Sequence, residues 1–142
     1  MNFIKANDKF INLEHVSSIN MLKNRIAYDM DCPVELDSGK IISYYAYHDH
    51  DNDGAEEELL NHPYIKDNFN VHGDILVNMQ QVAAIKFAPE KLRIIYNFSH
   101  STTSLNFNRE PRLTSKFVYV HFSAQEEYDD FCVVLKTTIK EK

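Results

Sequence analysis

Residues 3–19 read FIKANDKFINLEHVSSI, and residues 69–85 read FNVHGDILVNMQQVAAI. Laid side by side without a gap, at a constant offset of 66, they pair Phe3 with Phe69, Asp8 with Asp74, Asn12 with Asn78, Val16 with Val82 and Ile19 with Ile85. Leu13 and Met79 match in type, as do Phe10 and Leu76. The matches fall at spaced apolar positions and at turn residues, the positions that specify a strand-and-turn unit. The chain therefore reads as an internal duplication.

Outward from these stretches the correspondence continues in outline. NRIAYDM (24–30) answers KLRIIYNF (91–98), and KIISYYAY (40–47) answers KFVYVHFS (116–123). Each is rich in Ile, Val, Tyr and Phe, the composition of a strand. Each half then ends in a helix. Ser123 followed by Glu126 predicts a capping box, with Tyr128, Phe131, Cys132, Leu135 and Ile139 as an apolar stripe over roughly 124–140. Asp53 followed by Glu56 predicts the equivalent start in the first half, and NHP (61–63) predicts its stop. The expected fold is α+β, mainly antiparallel β, with two pseudo-symmetric β-rich repeats each ending in a helix. They occupy 1–66 and 67–142 and pack as one body, because a unit of about 70 residues buries too little surface to be stable by itself.

The halves differ in three ways, and differences between repeats point to function. Residues 1–66 hold six Lys or Arg against twelve Asp or Glu, a net charge of −6, whereas residues 67–142 hold nine against nine. The whole net charge sits in the first half, where it can steer a basic partner. The connection SHSTTSLNFNREPRLTS (99–115) is much longer than DCPVELDSG in the first half and reads as a surface loop or extended hairpin, with Phe107, Arg109 and Arg112 as contact candidates. Lys86, Lys91, Arg93 and Lys116 are candidates for a basic patch beside it. The third difference is HDHDND (48–53), present only in the first half.

That insertion invites two metal readings. Asp49, Asp51, Asp53 and Gly54 fit the start of a calcium loop, but the twelfth position is Leu60, which cannot supply the bidentate carboxylate. His48 and His50, at i and i+2 on an extended backbone, point the same way and form a transition-metal pair, with Asp51 or Asp53 as further ligands. Against both stands the helix start, since Asp53 at the N-cap and the following glutamates suit the positive end of a helix without any ion.

No phosphate-binding glycine loop, nucleophile elbow or HExxH is present, and three glycines leave little material for one. No apolar run approaches a membrane span, and no secretory leader is expected at the N-terminus. Cys32, placed in a turn before Pro33, and Cys132, on the apolar helix face, are expected to be reduced thiols in the cytoplasm. His15, His62, His72, His100 and His121 are expected as turn, surface or strand residues.

The expected function is that of a small non-enzymatic cytoplasmic protein acting by macromolecular binding, as an adaptor or inhibitor. It would use Asp49, Asp51, Phe107, Arg109 and Arg112 to contact a protein partner, and exposed strand edges make a homodimer conceivable. No cofactor is expected unless HDHDND holds a divalent metal. The alternatives are a metal sensor or metal-dependent enzyme centred on that insertion, and nucleic-acid binding through 99–115, which the pI of about 5.6 disfavours.

Overall fold

A computed structural model describes residues 2–7, 9–35, 42–50, 54–105 and 111–140, with backbone only at 35, 42, 100–105, 111–115 and 140. The chain begins with a hairpin, β1 (Phe3–Ala6) and β2 (Lys9–Asn12), then a 3-10 turn at Leu13–His15. The meander β3 (Val16–Leu22), β4 (Arg25–Glu35) and β5 (Ile42–Asp49) follows, then the short helices α1 (Gly54–Leu60) and α2 (Pro63–Asn68). A second hairpin, β6 (Phe69–His72) and β7 (Ile75–Asn78), leads through a 3-10 turn at Met79–Gln81 into β8 (Val82–Ala88). A third 3-10 turn, Pro89–Lys91, precedes β9 (Arg93–Leu105), β10 (Pro111–His121) and the long helix α3 (Gln125–Lys140). The fold is mixed α and β, mostly antiparallel.

Local chemistry explains these elements. The first hairpin turns at Asn7 and the second at Gly73, both left-handed, with φ of 55° and 62°. Glycine and asparagine are the residues that tolerate this region. Asn12 and Asn78 each open a 3-10 turn by accepting a backbone N–H, from Glu14 and Gln80, at 3.0 Å. The bounds 3–6, 9–12, 13–15 and 16–22 recur 66 residues on at 69–72, 75–78, 79–81 and 82–88.

Strand pairing does not recur in the same way. The order β5-β4-β3-β7-β6 makes one five-stranded sheet, so the second hairpin is stitched onto the edge of the first half's β3, with Ile19 opposite Leu76. The order β10-β9-β8 makes a separate three-stranded sheet, and β1-β2 a two-stranded one. Leu76 and Phe69 thus join Ile19, Ile26, Tyr28 and Leu59 in the first core. Val77 joins Ile94, Tyr96 and Val120 in the second, closed by Tyr128, Cys132 and Leu135 of α3. Asn78 is fully buried and donates from Nδ2 to the Val16 carbonyl at 2.8 Å, tying the second hairpin to the start of β3.

Several sequence expectations need correction. NHP ends α1, but Pro63 also opens α2, since proline suits the first helical turn, and His62 caps it by accepting the Tyr64 N–H at 3.1 Å. Cys32 and Pro33 lie in β4 rather than a turn, where its pairing with β5 shifts register between Asp29 and Val34. The expected Ser123–Glu126 pair is replaced by a bond from the Ser123 hydroxyl to the Glu127 carboxylate at 3.4 Å. The 99–115 connection needs no such correction: of the two expectations, loop or extended hairpin, its described residues form the distal arm of the β9–β10 hairpin on both sides of 106–110.

Candidate binding surface

Alternation along β5 and β10 turns one set of side chains away from the cores, and the two strands present the same arrangement there. On β10, Phe117 and Tyr119 stack with ring centroids 6.4 Å apart and planes 23° from parallel. On β5, Tyr45 and Tyr47 stack at 6.4 Å and 17°. An arginine from the first position of the neighbouring strand covers each pair, Arg93 at 5.2 Å from the Tyr119 centroid and Arg25 at 4.7 Å from Tyr47. Each arginine is held by the residue opposite in the ladder: Nε of Arg25 donates to Asp49 at 2.7 Å, and Nε of Arg93 donates to Nε2 of His121 at 3.2 Å.

The charges of the two faces differ. Asp49 offers Arg25 a carboxylate that offsets its charge, whereas Arg93 meets the imidazole of His121 in place of a carboxylate. Across the three-stranded sheet Tyr119 is paired with Ile95 and Ile95 with Lys86, which adds a second exposed cation to the β10 face. Phe117 and Tyr119 are 45% and 51% exposed, an outlay of aromatic surface that a core does not use. Cation–π pairing orders the arginines over these rings.

Of the residues proposed from sequence, Asp49 lies on the β5 face as Arg25's partner. Asp51, Asp53, Phe107 and Arg109 lie outside the described residues, and Arg112 is placed by backbone only, opposite Ser104 in the hairpin arm. His48 and His50 do come together, with ring centroids 6.2 Å apart and edge to face. Lys116 does not belong to a surface patch. It is buried, 2.7 Å from the Asp29 carboxylate and donating to the Met30 carbonyl at 2.9 Å. A register shift between Ser115 and Phe117 turns it inward. Burial raises the Asp29 pKa against the opposing pull of Lys116.

Two further clusters were not legible in the sequence. His72 meets the Tyr96 hydroxyl at 2.9 Å and packs against Phe131 with centroids 4.7 Å apart, and burial lowers its pKa to about 4. His15, Asp31 and Cys32 converge so that one ligand atom from each lies within 4.8 Å of the others. Among the described residues this is where three potential metal ligands meet. Nothing in the spacing 15, 31, 32 advertises it. Burial first, then the Asp31 carboxylate, raise the Cys32 pKa.

No protein family, curated protein or solved structure matches the chain. Among the described residues no helix is long and apolar enough to cross a membrane.

Proposed function

We propose that the chain is a non-enzymatic protein of the cytoplasm that acts by macromolecular binding, with the outer face of the β8–β9–β10 sheet as its contact surface. The observation that carries this is the exposed Phe117–Tyr119 stack beside Arg93 and Lys86. Aromatic and arginine side chains are the groups that anchor interfaces. We read the two halves as copies of one pseudo-symmetric unit, supported by the constant offset of their element bounds and by the paired arginine–aromatic arrangements. The free thiol of Cys32, exposed on β4, suits a reducing compartment. The partner is a protein whose complementary surface is acidic. Affinity capture with the wild-type chain should recover a protein that the Phe117→Ala/Tyr119→Ala variant does not retain. Equal recovery by both would overturn the reading.

Single-stranded nucleic acid is the second reading, favoured by the same pair of rings flanked by cations, the arrangement on which bases stack. Its signature is binding to a labelled oligonucleotide that weakens steeply with salt. A flat titration at low salt rules it out.

A second copy of the chain is a further partner we propose, through the edge of β8. In the five-stranded sheet the corresponding edge, that of β3, carries the second hairpin. Beside β8 lies an apolar groove of about 450 Å³ lined by Val82, Ala84, Ile85, Phe87 and Ile139. Phe10 on β2 is 68% exposed, whereas its counterpart Leu76 on β7 is fully buried beside β3. Sedimentation should show association that Ile85→Lys and Phe10→Asp each weaken, and a monomeric wild type at high concentration refutes it.

A further inference from the structure

We propose that His15, Asp31 and Cys32 form a site for a zinc-type divalent transition ion, with a fourth position open to solvent. Nδ1 of His15 lies 3.1 Å from both carboxylate oxygens of Asp31, a separation at which one ion fits between them. Cys32 is the next residue in β4, and adjacent strand residues ordinarily point to opposite faces. Here the register of β4 against β5 shifts between Asp29 and Val34, and its register against β3 shifts between Val16 and Ser18. This irregular stretch brings the Cys32 sulfur to the same side as the carboxylate.

The donor set selects the ion. A thiolate, an imidazole and a carboxylate together suit zinc, cobalt or a similar borderline ion and exclude calcium and magnesium, which take oxygen ligands. Three protein ligands with an open position are the arrangement that zinc tolerates outside fully closed sites. His15 and Asp31 also line a hollow of about 540 Å³ together with Glu14, Tyr64, Asn68 and Gln80.

The surroundings are organised to hold the ligands. Gln81, buried in the 3-10 turn of the second half, donates from Nε2 to Asp31 at 3.2 Å and to the Glu14 carbonyl at 2.7 Å. Its Oε1 accepts from the Ser17 hydroxyl at 2.7 Å, which fixes the amide's orientation. An outer partner of this kind orients a ligating carboxylate. It also brings the second half into the site: an ion here would pin the first 3-10 turn to β4, with Gln81 holding both. On ligation the Cys32 thiol releases its proton to solvent and the sulfur donates an electron pair to the ion, with no change of oxidation state.

The test is titration of the reduced, full-length chain with cobalt(II), followed by the sulfur-to-cobalt charge-transfer absorption, with zinc as competitor. The wild type should give a saturating band at one equivalent that zinc abolishes. Cys32→Ser should abolish the band, and His15→Ala, at an exposed side chain, should weaken binding by more than the roughly 10- to 100-fold that loss of an outer-shell partner costs. His48→Ala/His50→Ala should leave the band intact. Absence of a band in the wild type, or a band that survives Cys32→Ser, would overturn the proposal. Circular dichroism of each variant separates loss of a ligand from loss of fold.

Discussion

Lys116 and Asp29 meet where the β9–β10 hairpin crosses β4, and both are largely withdrawn from water. Removing one member of such a pair leaves an uncompensated charge inside, at a cost of about 3–5 kcal/mol. Lys116→Met should therefore lower the denaturant midpoint sharply, and adding Asp29→Leu should recover most of the loss. A small effect of Lys116→Met would mean that water reaches Asp29. His72 offers a pH test. Its pKa falls from 6.5 to about 4 on folding, so between those values the unfolded chain binds more protons than the folded one. Stability contributed at this site is present above 6.5 and is lost as the pH falls toward 4. Asp29, raised above 3.8, acts with the opposite sign, favouring the fold on acidification. His72→Gln should flatten the drop in urea midpoint between about pH 7 and about pH 5, and an unchanged slope would assign the drop to other groups.

At the scale of elements, hairpins, strands and the C-terminal helix were legible because each depends on local signals. The turn residues shared by the two matching stretches and the stripe of Tyr128, Cys132 and Leu135 are written in adjacent residues. What was not legible depends on which strand lies beside which. Phe10 and Leu76 occupy equivalent positions in similar sequences, yet one is exposed and the other buried, because only β7 finds a neighbouring strand in β3. Leu76→Ala should cost about 2–5 kcal/mol, as for a buried leucine. Phe10→Ala should cost far less in the monomer. Equal costs, measured by chemical denaturation at low protein concentration, would show that β2 is also covered in solution. The His15–Asp31–Cys32 cluster was hidden for the same reason, since a register irregularity in β4 has no signature in composition. Lys116 reads as surface from its place beside the 99–115 connection, and the bulge that turns it inward has no local signature.

For the whole molecule, the two cores share one hairpin. Phe69 and Leu76 fill the first core while Val77, from the same hairpin, fills the second. Heat or denaturant should therefore unfold the chain in a single transition that is coincident by fluorescence and circular dichroism. Two separated transitions would mean that the halves are autonomous. The unequal charge is a property of the whole chain too: residues 1–66 carry the entire net charge of −6. Association that depends on this charge should slow as salt rises toward physiological strength, where the screening length is about 8 Å.

The stitching of β7 onto β3 also sets a timetable. A ribosome finishes β3 (Val16–Leu22) several seconds before it reaches β7 (Ile75–Asn78), the strand that covers its edge, at about 5–20 residues per second. Throughout that interval the nascent β3 has a bare margin, and Ile19 waits for a leucine that has not yet been made. Any delay to translation just after residue 66 would prolong this vulnerable state, so the codons there are where synthesis and folding of this chain meet.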